Sequence, residues 1–209
     1  MAQPRDGVYV WITWLSKIMA GEQSCEWASW FKAHNTYSKL PNDFDIVTWT
    51  VEHTKRLREL NRELRTRGEL VSVENENSIK YVPVTGVTVA GKPDLISTAG
   101  SLVTIYDVKT GQPKTSDTIQ VMIYMYLVPW TVPRYRGVQP SGCVVYGDNR
   151  VLIPPHAITE TFAEQFRYFL NIVTGLEPAI KVSGPNECRF CDIPHSDCQE
   201  RHILNPSDL

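Results

Sequence analysis

The fold is decided by Gly91-Lys92-Pro93-Asp94, followed by Asp107-Val108-Lys109 and then by Gln120 and Tyr124. Asp94 and Asp107 are 13 residues apart, on either side of Ala99-Gly100, a turn signal between two β-favouring runs. A hairpin there brings both carboxylates to one end of a sheet. Lys109 lies two residues beyond Asp107, so its side chain leaves the same face of the strand. Gln120 and Tyr124 are one helical turn apart and share a face that can look back at the carboxylates. Two carboxylates and a lysine are the minimal set for metal-dependent cleavage of a phosphodiester. The reaction needs an activated water and cover for charge on the phosphate, and Mg²⁺ or Mn²⁺ held by a few carboxylates supplies both. The Lys109 ammonium can orient the water and offset phosphate charge. The carbonyl of Val108 is a further candidate ligand.

Outward from this stretch, residues 9–35 read as two helices broken near Gly21, and Pro41-Asn42-Asp43 as a loop. Residues 47–67 read as one long helix stopped by Gly68. The expected strands are Leu70–Glu74, Ile79–Thr85, Lys92–Ser97 and Leu102–Val108. Residues 115–128 read as an apolar helix before Pro129. Cys143–Tyr146 and Val151–Ile153 read as a hairpin turning on Gly147-Asp148-Asn149. Residues 156–175 read as a last helix with Phe162, Phe166, Phe169 and Val173 on its buried face. Helices, a β meander, a helix, a strand pair and a helix predict an α/β or α+β sheet flanked by helices. No repeat or long linker divides the chain, and its 209 residues suffice for one domain.

His53 falls on the same stripe as Leu57, Leu60 and Leu64, so it points inward, either as a metal ligand or as a core histidine. Glu52 takes its place if the helix is rotated. Lys55, Arg56, Arg58, Arg62, Arg65 and Arg67 make that helix basic, either to track a phosphate backbone or to pair with Glu59, Glu63 and Glu69. Trp27, Trp30, Phe31 and Tyr37 suit stacking on unpaired bases or a small core, and the core reading is favoured. The net charge of −2 gives no general attraction to nucleic acid, so binding must come from local patches and from metal in an acidic site. Val8 to Met19 is too short to span a membrane, and no convincing cleavage site for export follows it.

Five cysteines, with Cys188-Arg-Phe-Cys191 as a pair, favour metal ligation in a reducing cytosol over a disulfide framework. Cys188, Cys191 and Cys198 are local to one turn-rich segment, and Cys25 is remote. Four thiolates hold an iron–sulfur cluster or a structural zinc. The asymmetry favours a cluster that clasps the two ends, with zinc as the alternative and His195 or His202 able to replace a thiolate. Cys143 reads as a small core residue.

The order Cys25, His53, Gly91-x-x-Asp94, Asp107-x-Lys109, Gln120-x-x-x-Tyr124, Cys188-x-x-Cys191 and Cys198 resembles the PD-(D/E)XK nucleases of the RecB-like group. Within it, the chain is similar to the iron–sulfur exonucleases of CRISPR adaptation and their phage relatives, over residues from about 20 to 203. Asp107 stands where many members carry glutamate. The resemblance implies an α/β restriction-endonuclease-like core, a central mixed sheet flanked by helices, in a single domain. It implies N-terminal helices (about 9–35) and a cysteine segment (about 184–203) joined at a [4Fe–4S] cluster on Cys25, Cys188, Cys191 and Cys198. It also implies His53, Asp94 and Asp107 as ligands of Mg²⁺ or Mn²⁺, Lys109 as the catalytic lysine, and Gln120 and Tyr124 in substrate positioning. Family members cut DNA, often single strands from an end, and in CRISPR systems do so beside an integrase. The competing expectation is a subunit that binds DNA ends without cutting them, or acts only with a partner.

Overall fold

The computed structural model describes residues 1–41 and 45–203, so Asn42 and Asp43 of the expected loop lie outside the described residues. Three sheets form. β1 (Gln3–Pro4) pairs antiparallel with β3 (Asn35–Thr36). β2 (Val8–Trp11), β6 (Val87–Gly91) and β5 (Ile79–Tyr81) make a three-stranded sheet in the order β2-β6-β5, with β2 parallel to β6. The main sheet holds β4 (Leu70–Val73), β7 (Leu95–Ala99), β8 (Leu102–Lys109), β9 (Ser141–Tyr146) and β10 (Asn149–Ile153) in the order β10-β9-β8-β7-β4. Only β8 and β9 run parallel in it, because α4 (Thr115–Thr131) intervenes between them as a crossover. The sheet is therefore mixed, as expected.

The central strand β8 is covered on both faces. Tyr106 and Val108 pack with Leu60 and Leu64 of α3 (Ile46–Thr66). Val103 and Ile105 join the larger core with Val121, Ile123 and Met125 of α4. Period two then carries Asp107 and Lys109 onto the α4 face. α1 (Ile12–Met19), α2 (Glu26–His34) and α5 (Glu160–Thr174) complete the helical layer, and the short α6 (Pro185–Arg189) carries Cys188.

The capping chemistry explains where α3 starts and stops. Asp45 accepts the Thr48 N–H at 3.0 Å. Gly68, at φ +81°, ends the helix while the Glu69 N–H reaches back to the Leu64 carbonyl.

Several expected boundaries change. Residues 9–11, expected to start a helix, belong to a strand over residues 8–11. Val-Tyr-Val-Trp has β-branched and aromatic side chains, and pairing with Val87–Ala90 overrides the apolar periodicity that continues into α1. The strand expected over Ile79–Thr85 ends at Tyr81, where Pro83 and the positive-φ Gly86 turn the chain into β6. β7 begins at Leu95 rather than Lys92, since Pro93 offers no N–H for a ladder. Helix α4 runs through Pro129 to Thr131, where the burial of Leu127, Val128 and Val132 offsets the lost hydrogen bond. The helix expected over 156–175 starts only after the Pro154-Pro155 turn, with Thr159 as its cap, and Leu170 is buried where Phe169 is only partly so.

Candidate active site

Hairpin pairing sets the site. Leu95 lies opposite Tyr106, so Asp94, one residue before β7, arrives beside Asp107 and Val108. The Val108 N–H donates to Asp94 Oδ2 at 2.7 Å. His53 Nε2 of α3 lies 3.3 Å from the same oxygen. Glu52, on the neighbouring position, instead faces Arg56 at 2.7 Å. Asp107 is 3% exposed and Asp94 9%, so both carboxylates stand in a poorly solvated pocket.

On the other side, Gln120 Nε2 donates to Asp107 Oδ1 at 3.1 Å and to the Tyr124 hydroxyl at 2.9 Å. Its Oε1 accepts from Lys109 Nζ at 3.2 Å. The amide thus uses both its donors and its acceptor inside the site. Lys109 Nζ is 2.6 Å from Asp107 Oδ2 and 3.7 Å from Asp117 Oδ1. The Lys109 ammonium is thus the close partner of the buried Asp107 Oδ2. Gly91 stands where any side chain would collide: a Cβ there would lie 2.5 Å from Ile12 Cδ1 and 2.7 Å from Tyr124 Cε1. Glycine lets β6 approach α4 closely enough for Tyr124 to reach the carboxylate pocket.

The charges are strongly perturbed. Burial pushes the Asp107 carboxyl up to about 6, with Lys109 opposing and Asp94 reinforcing the shift. For Lys109 burial opposes the charge, but Asp107, Asp117 and Asp94 more than offset it and its pKa is raised. The hydrogen bond to Asp94 raises the His53 pKa against the effect of burial. Burial raises the Tyr124 hydroxyl, with the Asp107 charge adding to the effect, so it stays a neutral hydrogen-bonding group.

Sequence reasoning missed Asp117, Trp11 and Trp49, and placed Arg56 only in the basic stripe of its helix. Asp117 caps α4 by accepting the Lys114 N–H, accepts the Tyr146 hydroxyl at 2.8 Å and faces Lys109. Arg56 donates to the Lys109 carbonyl at 3.0 Å. Trp11 and Trp49 line the mouth of the same cleft, which is about 740 Å³. An acidic residue at a helix start was the only local signal for any of them.

The chain's two ends meet at a second cavity, lined by Cys25, Cys188, Cys191 and Cys198. All are free thiols. The Glu187 carboxylate accepts the N–H groups of Ser24 and Cys25 at 3.0 and 3.2 Å. The Val182 and His202 N–H groups point at the sulfurs of Cys25 and Cys188, 3.5 and 3.3 Å away. Arg201 braces the segment by donating to the carbonyls of Cys188, Cys191 and Ile193. Cys143 is distant from this cavity, buried under the main sheet, and burial pushes its thiol up to about 11.

Of the aromatic cluster, Trp27 and Phe31 are buried and stacked, Trp30 donates to the Gly175 carbonyl, and Tyr37 to Asp192. These side chains are core. Arg56, Arg65 and Arg67 of the basic helix likewise serve the fold, bonding the Lys109 and Val71 carbonyls and Glu63.

A sequence profile of the PD-(D/E)XK nuclease superfamily matches residues 20–199. The chain belongs to the PD-(D/E)XK nuclease superfamily. It is a nuclease by family, and nucleases of this superfamily usually use a divalent cation such as Mg²⁺ or Mn²⁺. Among solved structures, "Crystal structure of SSO0001" is 13% identical, covers 90% of this chain and 85% of its own, and has a TM-score of 0.47. An alkaline exonuclease (LHK-Exo) from Laribacter hongkongensis is 15% identical, covers 63% of this nuclease and 71% of its own chain, and has a TM-score of 0.36. No curated protein matches the chain. Among the described residues of the nuclease, no three His, Cys, Asp or Glu side chains are grouped as a ready-made cage for one metal ion, and no helix is long and apolar enough to cross a membrane.

Proposed function

We propose that this nuclease is a Mg²⁺- or Mn²⁺-dependent deoxyribonuclease that shortens single-stranded DNA from an end. The observation that carries the reading is the buried cluster of Asp94, Asp107 and Lys109 locked by Gln120. Two carboxylates and a backbone carbonyl are hard oxygen donors for Mg²⁺ or Mn²⁺, and the His53 imidazole adds a borderline nitrogen donor. The meeting of both buried carboxylates with His53 in one cleft supports that fit. Asp94, Asp107 and His53 would hold the cation, with the Val108 carbonyl as a further ligand. The chemistry so supplied is Lewis-acid stabilisation of the phosphate and a lowered pKa for water.

The remaining work falls to the chain's own residues. Lys109 keeps its proton at neutral pH, because its acidic neighbours raise its pKa. It therefore acts as a fixed positive charge that orients water and offsets charge on the phosphate, not as a base. Gln120 holds the Lys109 ammonium and the Asp107 carboxylate in register, and Tyr124 fixes the Gln120 amide. The neutral Tyr124 hydroxyl adds a donor without adding charge.

Cys25, Cys188, Cys191 and Cys198 are proposed to hold a [4Fe–4S] cluster that joins the N-terminal helices to the C-terminal segment of a single domain. Backbone N–H groups aimed at two of the sulfurs support a thiolate site. Three cysteines local to one segment and a fourth brought from the other end of the chain favour the cluster over zinc. The biological setting proposed is spacer processing beside an integrase in CRISPR adaptation, or phage or cellular recombination and repair, in the cytoplasm.

The test is cleavage of end-labelled single- and double-stranded DNA by anaerobically purified protein, beside Asp107→Ala. The reading expects cation-dependent shortening of single strands that the variant lacks. Cleavage undiminished in Asp107→Ala contradicts it.

A further inference from the structure

Trp11 is 42% exposed and Trp49 37%, although both are large apolar side chains with a core nearby. They come from different elements and line the same cleft as Asp94. Trp11 ends β2, opposite Ala90 of β6, and that strand leads through Gly91 into Lys92-Pro93-Asp94. Trp49 lies one turn before His53 on α3, with its ring 4.9 Å from the His53 ring and only 18° from parallel. Trp11 is supported edge-on by Tyr9 at 5.4 Å. Both rings are thus held by a second ring while part of their surface faces the cleft that contains Asp94, Asp107 and Lys109.

We infer that Trp11 and Trp49 are positioning residues that stack on unpaired bases of the strand being cut, and so set the preference for single strands. This rests on the nuclease reading above and adds to it the part of the substrate recognised beside the phosphate. Every base offers a π-face, so stacking is tolerant of sequence. Bases in a duplex have those faces covered, so the rings discriminate by strandedness. The alternative role for Trp49 is to orient His53 alone, which would act on cation binding and turnover rather than on DNA affinity.

The test is the fluorescence anisotropy of a fluorescein-labelled short oligothymidylate titrated with the protein in Ca²⁺, with cleavage followed separately in Mn²⁺. Trp11→Ala and Trp49→Ala are each expected to weaken oligothymidylate binding by roughly 5- to 150-fold. Trp11→Phe and Trp49→Phe are expected to restore most of it, because a smaller ring still stacks. In cleavage the Ala variants raise KM much more than they lower kcat. Ala variants that bind as the wild type, or a Trp49→Ala variant that loses kcat with KM unchanged, overturn the inference. Wild-type cleavage with unaffected binding in both Ala variants rejects the stacking role but leaves the nuclease reading standing. Tight, tryptophan-dependent binding by a wild type that never cleaves rejects the nuclease reading but leaves the stacking role.

Discussion

The Val108 N–H donates to Asp94 Oδ2 over 2.7 Å, tying the acidic residue before β7 to the strand that carries Asp107 and Lys109. One hairpin register therefore fixes both carboxylates and the lysine, and α4 only has to lock them from the side.

Gln120 is that lock. Gln120→Ala strips partners from Asp107, Lys109 and Tyr124 together, all of them buried or nearly so. Leaving buried polar groups unsatisfied costs about 1–3 kcal/mol, which in a chain this long lowers Tm by roughly 2–12 °C. Calorimetry checks it, and activity should fall with stability because the Lys109 ammonium is no longer held. A variant with wild-type Tm would show that water replaces the amide.

Much of this was legible in the sequence, and the reason is local. Asp94, Asp107, Lys109, Gln120 and Tyr124 sit on consecutive elements joined by short turns, so period-two and i, i+4 spacing suffice to bring them together. His53 was legible because its stripe includes Leu60 and Leu64, which the core requires inside. The strand β2 was not, since Val8–Trp11 acquires its identity from β6, nearly 80 residues later. Trp11 and Trp49 were missed for the same reason: nothing near either residue says that they share a cleft. Asp117 was hidden because its helix-start position already explains an acidic residue.

Gly91 should accept no side chain. Gly91→Ala drives a methyl into Ile12 and Tyr124, both in the buried core. Overpacking of this kind costs about 1–3 kcal/mol and displaces Tyr124 from Gln120. Lower Tm together with reduced cleavage is the expected outcome, and an unchanged variant would mean that β6 can shift away at no cost.

Cation affinity should rise with pH. Burial pushes the Asp107 carboxyl up to about 6, so the folded protein holds a proton there that a cation must displace at lower pH. The raised His53 pKa acts in the same sense. The competition at Asp107 is lost above its value, whereas that at His53, whose pKa is raised, persists to higher pH. Mn²⁺ titration by calorimetry at about pH 8 and about pH 5.5 should show roughly fourfold or greater weakening at the lower pH. Affinity independent of pH over that range would contradict ligation by Asp107.

The proposed cluster would make anaerobically purified protein brown, and Cys188→Ala should lose that colour and lower Tm by several degrees, since the cysteine cavity is where the two ends of the chain meet. Iron, sulfide and zinc analysis checks the metal. A colourless wild type carrying one zinc would reject the cluster and leave the clasp.

The central claim is tested most directly by Lys109→Ala. Its rate of shortening of end-labelled single-stranded DNA in Mn²⁺ is compared with that of the wild type, with EDTA as the blank and circular dichroism as the check on folding. The account predicts Mn²⁺-dependent shortening by the wild type and a loss of at least roughly 100-fold in a folded Lys109→Ala protein. A folded variant that cuts at the wild-type rate, or a metal-loaded wild type that does not cut at all, would contradict it.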